Sequence, residues 1–322
     1  MDIPKIIIAF LMGAAALAGP SLWTIGPVVL EPGSPDSFDS VAVKDPSVVR
    51  HAGRWHVFYT ARNQTDYTLG YVSAKELTGL GRAERFPLTQ LHAKRGKYAA
   101  APQVFYFRPH KKWYLIFQTD DSNYQPVYSS TADISDPASW TAPRPLLEKS
   151  ERAKWIDFWV ICDDRRAYLF LTRDHKDVVA WSTDLDSFPS GFAEPRAVFS
   201  PVHEAVHVYR EAGGGPPRFV MLYEQQEAGG RRRFGLARSG RLDGDWRVAE
   251  ENFATAARLS GSPGNRWTDE VSHGELLRSG FDERLEIPGK QWKFLIQGMR
   301  RDAHFGEYPL LPWKLGLISL GR

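Results

Sequence analysis

Five short aromatic strands recur along the chain at nearly even spacing, and this repeat limits the fold more tightly than any other feature of the sequence. They read RWHVFYTAR (54–62), KWYLIFQTD (112–120), RAYLFLTRD (166–174), RFVMLYEQQ (218–226) and QWKFLIQGM (291–299). The intervals of 58, 54, 52 and 73 residues lie close to the period of propeller repeats. Each copy is followed by a second strand in which apolar and small residues alternate: LGYVSA (69–74), PVYSST (126–131), VVAWST (178–183), FGLARS (234–239) and LGLIS (315–319). Each is preceded by another: DPSVVR (45–50), APQVFYF (101–107), DFWVICD (157–163), EAVHVYR (204–210) and HGELLR (273–278). Turns such as His51-Ala52-Gly53 and the Gly213–Gly215 run join these leading strands to the aromatic ones.

Three strands per unit are therefore legible, and WTAPRPLLEK (140–149) and FAEPRAVFS (192–200) read as a fourth. The N-terminal stretch WTIGPVVLEP (23–32) has the look of such an outer strand, which lets it complete the last unit and seal a ring. The expected fold is all-β, a five-bladed β-propeller closed by the N-terminal strand. A β-sandwich or several smaller domains is the competing architecture. At 322 residues the chain has room for one large all-β domain.

Residues 1–18, with the apolar core IIIAFLMGAAALA after Lys5 and the small-x-small site Ala16-Leu17-Ala18, read as a cleaved signal peptide. They place the mature domain, residues 19–322, outside the cytoplasm, secreted or periplasmic. The single cysteine, Cys162, excludes an intrachain disulfide and a multi-thiolate zinc site, and its apolar neighbours make it a buried inert thiol. A net charge of +3 spread along the chain is too small for a phosphate-tracking groove, so nucleic acid is not an expected partner. The basic run Arg231–Arg233, with Arg218, reads as a solvated loop.

Innermost propeller strands line the central channel, so residues at one equivalent end of all five share a funnel. The leading strands open on Asp45, Ala101-Pro102, Asp157, Glu204 and His273. Three acids at matched positions have no packing purpose there. Carboxylates gathered in a partly dry cavity push one another's pKa up, so that one serves as acid and another as base, the equipment of glycoside hydrolysis. The many aromatic residues supply stacking faces for sugars. No Gly-rich phosphate loop, Gly-x-Ser-x-Gly elbow or His-Glu-x-x-His motif competes with this reading.

The sequence resembles glycoside hydrolase family 62, the α-L-arabinofuranosidases that act on arabinoxylan. The resemblance runs along most of the chain: Lys44-Asp45-Pro46, Ala101–Val104, Trp113–Leu115 with Gln118, WIDFWVICDD (155–164), Glu204-Ala205 with Val208-Tyr209, Trp267–Asp269 with SHGEL (272–276), Gln297-Gly298 and LPWKLGLIS (311–319). It implies an exo-acting, inverting enzyme in which Asp45 is the general base, Glu204 the general acid, and Asp157 orients the sugar and holds the pKa of Glu204 high. Inversion then asks for about 6.5–9.5 Å between base and acid carboxyls. By the same resemblance Lys44, Gln118 and Tyr308 bind substrate. His273 matches a histidine that faces a structural calcium ion in the central channel; a purely structural histidine is the alternative on sequence alone. No cofactor is implied for the chemistry. The expected partner is a polysaccharide or oligosaccharide, with no membrane association after cleavage of the leader, and the protein is expected to be a monomer.

The chain departs from the family at Thr119-Asp120-Asp121, where a stacking Trp is usual, at Pro309 after Tyr308, and at Arg233–Leu236. These departures imply a kept inner pocket and altered outer subsites. Xylosides, arabinan or fructosides are the alternative substrates, and a catalytically silent sugar-binding propeller the alternative function.

Overall fold

The computed structural model describes residues 22–92, 98–120, 125–149, 152–261, 264, 266–301 and 306–321. The expected leader, residues 1–18, and Asp121 lie outside them. Five mainly antiparallel sheets form the blades of a β-propeller. The inner strands are Ala42–His51, Ala99–Phe107, Trp155–Cys162, Glu204–Glu211 and Ser272–Leu276, and each packs beside its neighbours in ring order. The aromatic repeats form the second strands, Arg54–Arg62, Lys112–Thr119, Arg166–Arg173, Phe219–Gln226 and Lys293–Gly298.

The small residues of the third strands have a packing reason. Gly70 sits opposite Tyr59 and Gly235 opposite Tyr223, and a Cβ on either glycine would meet the tyrosine ring within 2.3 Å. The large ring of one strand therefore requires the missing side chain of the next. In the fifth blade the outer position is filled from the other end of the chain. Trp23–Leu30 pairs antiparallel with Lys314–Leu320, and the ring is closed as the sequence predicts. A two-residue strand, Leu259–Ser260, adds parallel to Trp23–Leu30 at the edge of this blade. Of the fourth strand expected over 140–149, only Arg144–Pro145 forms; Trp140 is buried ahead of it.

Every inner strand carries a bulge at the same level. The register shifts between Lys44 and Ser47, Ala100 and Gln103, Ile156 and Trp159, Glu204 and His207, and Ser272 and Gly274. In four blades the bulge residue is left-handed, at Asp45 (φ 45°), Ala101 (50°), Asp157 (58°) and Ala205 (52°). A bulge leaves one backbone N–H outside the ladder, and a buried N–H needs a partner. Here the preceding blade supplies it. Asp45 N donates to Gln297 Oε1 (2.9 Å), Ala101 N to Thr60 Oγ1 (2.8 Å), Asp157 N to Gln118 Oε1 (3.3 Å) and His273 N to Glu224 Oε2 (2.7 Å). In the fourth blade Ala205 N donates to Asp157 Oδ2 at 2.8 Å. This ring of five contacts locks each blade to the next at the mouth of the channel and turns the bulge side chains toward one point.

The bulges also correct the alignment of the acids. Asp45 and Asp157 are equivalent, but the equivalent residue of the fourth blade is Ala205. Glu204 stands one place earlier, level with Lys44, Ala100 and Ile156. The acids therefore come from two adjacent levels of the repeat, and Asp45 and Asp157 lie within their strands and do not open them.

Candidate active site

One cavity of about 350 Å³ opens at the bulge level, and every site residue expected from the sequence lines it: Lys44, Asp45, Gln118, Asp157, Glu204, His273 and Tyr308. Its aromatic wall is larger than the sequence reading. Tyr67 and Tyr98 join Tyr308, with 5.2 Å between the centres of the Tyr67 and Tyr98 rings. Lys44 lies buried beneath this wall, its Nζ 4.5 Å from the centre of the Tyr308 ring and 5.6 Å from that of Tyr67. Burial pulls its pKa down, but Tyr308, Asp45 and Tyr67 outweigh burial, and Lys44 is held as a cation. Gln118 donates from Nε2 to the Tyr98 hydroxyl at 2.8 Å while its Oε1 accepts from Asp157 N, so its amide orientation is fixed from both ends.

The acids sit in different electrostatic surroundings. Burial raises Asp157 to about 6, partly opposed by His273 and supported by the charge of Glu204. Glu204 is a different case. Burial pushes it up, but Arg232, His203 and His273 outweigh burial and hold it at about 2. The expectation that Asp157 keeps the Glu204 pKa high is thus corrected, because Arg232 Nη1 donates to Glu204 Oε1 at 2.7 Å and its charge dominates.

Arg232 also donates from Nη1 to Glu224 Oε1 at 2.8 Å. Glu224 is wholly buried, and its Oε2 accepts from Ser272 Oγ (2.9 Å) and His273 N (2.7 Å). Burial, with the Glu204 charge added, raises Glu224 to about 8. Two carboxyls on one guanidinium hold a proton between them more readily than either holds it alone. The solvated-loop reading of Arg231–Arg233 is therefore wrong for Arg232, whose side chain is 9% exposed. Arg232 and Glu224 were missed because the signal is relational: the four other blades carry the neutral Thr60, Gln118, Thr172 and Gln297 where the fourth carries Glu224.

Two histidines flank the outer side of Glu204. His175 Nδ1 and His203 Nε2 each lie 3.8 Å from Glu204 Oε2, and the two rings stack with centres 4.7 Å apart. His175 Nδ1 donates to the His203 carbonyl (2.9 Å) and its Nε2 accepts from Lys154 Nζ (3.0 Å), which fixes its tautomer. Burial lowers His203 to about 4.

His273 Nδ1 lies 3.4 Å from Asp45 Oδ1, and its ring meets His207 edge-on at 5.1 Å. His207 Nδ1 is buried without a hydrogen-bond partner among the described residues. Calcium takes six to eight oxygen ligands. A calcium ion beside His273 would find imidazole nitrogen and the Asp45 carboxylate, and water would have to complete its shell. Below this level Glu275 and Arg278 pair at 2.7 Å; Ser47 donates to Glu275, and Arg278 donates to the carbonyls of Val48 and Val104. This buried pair ties three inner strands together. Cys162 is buried, and burial raises its thiol pKa, as an inert core residue requires.

The family model described as glycosyl hydrolase family 62 matches residues 23–319. The chain belongs to glycosyl hydrolase family 62. It is 34% identical over 318 residues to alpha-L-arabinofuranosidase C of Cellvibrio japonicus (strain Ueda107), covering 95% of this chain and 48% of that protein. The chain thus spans about half the length of this curated relative. Among solved structures it is similar to the catalytic domain of a family 62 α-L-arabinofuranosidase of Coprinopsis cinerea, with 37% identity, a TM-score of 0.85, and coverage of 94% of this chain and 97% of that one. An α-L-arabinofuranosidase of Podospora anserina in complex with cellotriose matches with 30% identity, a TM-score of 0.84 and coverage of 94% and 98%. A family 62 hydrolase in complex with xylotriose matches with 32% identity, a TM-score of 0.83 and coverage of 93% and 97%.

Proposed function

We propose that the protein is an exo-acting, inverting α-L-arabinofuranosidase that removes arabinofuranosyl side chains from arabinoxylan-type polysaccharides outside the cytoplasm. The observation that carries this reading is the convergence of Asp45, Asp157 and Glu204 on one small cavity in a family 62 chain. A cavity of about 350 Å³ is near the small end of ligand pockets, which suits a single terminal sugar better than a length of polymer.

In this reading Asp45 takes a proton from the attacking water, and Glu204 protonates the leaving glycosidic oxygen. The proton is held by the Glu204–Glu224 pair as a unit and leaves through Glu204 as the leaving oxygen gains negative charge. Asp157 spends Oδ2 on the Ala205 N–H and keeps Oδ1 for a sugar hydroxyl. Lys44 and Gln118 hold further hydroxyls, and Tyr308, 40% exposed, forms the rim. A calcium ion at His273 would brace the channel and take no part in bond cleavage. The chain acts as a monomer in this reading.

The test is turnover of a synthetic aryl arabinofuranoside, wheat arabinoxylan and arabinan by the wild type and by Glu204→Gln and Asp45→Asn. Each variant is expected to keep its circular dichroism spectrum and lose several orders of magnitude in kcat/KM. Glu204→Gln should lose less on an activated aryl leaving group, which needs little protonation. Near-normal turnover of arabinoxylan by either variant overturns the assigned roles, and NMR of the first-formed anomer checks inversion.

A further inference from the structure

At the far end of the fourth blade lies a cleft larger than the catalytic one, with a volume of about 720 Å³. Its position follows from the register. The inner strand leaves the catalytic mouth at Glu204 and ends at Glu211, and Arg210, Phe219 and Ser239 are cross-strand neighbours at that end. Seven residues of strand rise separate the two levels, about 23 Å. The cleft is therefore not an extension of the catalytic pocket.

Five arginines line it: Arg196, Arg218, Arg238, Arg241 and Arg247. With Asp243, Asp245 and the Glu211 carboxylate that pairs with Arg238, the cluster keeps two positive charges, which gives the cleft a locally positive field. Internal pairing does not use up the guanidiniums. Arg241 is taken by Asp243 through two hydrogen bonds of 3.0 Å. Arg238 is paired with Glu211, and Arg218 reaches the same carboxylate only at 3.8 Å while its side chain is 67% exposed. Arg196 donates to the Asp243 carbonyl oxygen (3.1 Å), which carries no charge. Arg247 has no ion pair among the described residues.

A second cleft of about 410 Å³ adjoins on the third blade, sharing Arg196 and Asp243 and adding Arg166, Tyr168 and Trp181. A continuous groove over two blades fits a polymer better than a small anion. Its aspartates repel a chain with a phosphate at every unit, but accept hydrogen bonds from sugar hydroxyls. Planar guanidiniums match carboxylates two bonds at a time. We propose that this groove is a secondary binding site for uronate-bearing polysaccharide, holding carboxylated sugars on its arginines while the catalytic pocket works at the opposite end of the ring.

The test is affinity gel electrophoresis of the full chain in gels containing glucuronoxylan, neutral arabinoxylan or no polymer, with a duplex DNA oligonucleotide as competitor. The wild type is expected to be retarded by glucuronoxylan at concentrations tenfold below those needed of the neutral polymer. Arg218→Ala/Arg247→Ala should weaken that retardation at least tenfold, whereas Lys75→Ala/Lys112→Ala, which removes the same charge elsewhere, should not. Both double variants should retain aryl arabinofuranoside turnover. Equal retardation by acidic and neutral polymers, equal loss in the two double variants, or full displacement by DNA at concentrations below those of glucuronoxylan overturns the proposal. Binding is read without turnover, so failure of the catalytic assignment would leave this result standing.

Discussion

Glu204 and Glu224 are direct cross-strand neighbours that accept hydrogen bonds from the same nitrogen, Nη1 of Arg232, at 2.7 and 2.8 Å. The pair makes the acid function depend on both carboxyls. The proton held near Glu224, at about 8, is present below that pH and lost as pH rises through it. Glu224→Gln removes that proton site and leaves Glu204 alone against Arg232. The glutamine keeps an amide oxygen for the His273 N–H, as Gln118 and Gln297 do for their neighbouring blades. The alkaline limb of the kcat/KM profile, which should fall near pH 8 in the wild type, is expected to move down by at least one pH unit, with tenfold or greater loss at neutral pH. A lower rate at every pH with an unmoved limb would reduce Glu224 to a scaffold residue.

The blades and their closure were legible because alternating aromatic and small residues encode second and third strands directly, down to the pairing of Tyr59 with Gly70. The level of each inner residue was not. A bulge adds one residue without changing the local pattern, so the pattern alone does not distinguish the level of Glu204 from that of Ala205. Arg232 was misread for a related reason. Its neighbours Arg231 and Arg233 form ordinary surface contacts, and only the alternation of the strand Arg232–Ser239 decides that the middle arginine turns inward. Tyr67 and Tyr98 come from the start of a third strand and the edge of an inner one, positions where tyrosine has no distinguishing pattern.

Asp157 has a structural duty beside its place in the pocket. In the third blade Thr172 occupies the position from which Thr60, Gln118, Glu224 and Gln297 cap the next bulge, yet its Oγ1 has no partner among the described residues and Asp157 makes the bond to Ala205 N instead. Asp157→Ala leaves that buried N–H unsatisfied, at a cost of about 1–3 kcal/mol. Asp157→Asn keeps an acceptor and should stay within about 1 kcal/mol of wild type, while both variants lose most activity. Urea denaturation followed by fluorescence separates the two, and equal stabilities would show that the bond contributes nothing.

Lys44 is a buried cation with no carboxylate within ion-pair distance among the described residues, packed against Tyr308. Tyr308, Asp45 and Tyr67 offset the cost of burying it, and the charge serves binding. Lys44→Met fills similar volume without the charge, so the melting temperature is expected to stay level or fall slightly while KM increases tenfold or more. A destabilised variant with unchanged KM would place Lys44 in the scaffold.

Acid should loosen the ring through its buried histidines. Burial lowers His56 and His203 to about 4, so between the ordinary histidine value of 6.5 and 4 the unfolded chain takes up protons that the folded one refuses. Stability is full above 6.5 and is lost as pH falls through that window. His273 acts in the opposite sense: burial lowers it, but Asp45, Asp157, Glu224 and Glu204 raise it, and its contribution is lost as pH rises. The melting temperature is expected to decline from pH 6.5 to 4, and His56→Gln should flatten the decline.

Closure of the ring rests on Trp23, which is fully buried and donates from Nε1 to the Phe253 carbonyl at 2.8 Å. Its ring meets Phe253 edge-on at 5.2 Å and Phe294 at 5.9 Å, while its backbone pairs with Leu320 on one side and Leu259 on the other. One residue thus joins the N-terminal strand to three segments from the last third of the chain. Trp23→Ala opens a cavity at that junction and should cost about 3–5 kcal/mol in chemical denaturation. Trp23→Phe keeps most of the packing but leaves the Phe253 carbonyl without its donor, costing about 1–3 kcal/mol for that bond. Val248, half exposed on the outer strand of the fourth blade, is the control: Val248→Ala should stay within about 0.5 kcal/mol. If Trp23→Ala proved no worse than Val248→Ala, the seal between the chain ends would contribute nothing to holding the five blades, and with them the three carboxylates, around one channel.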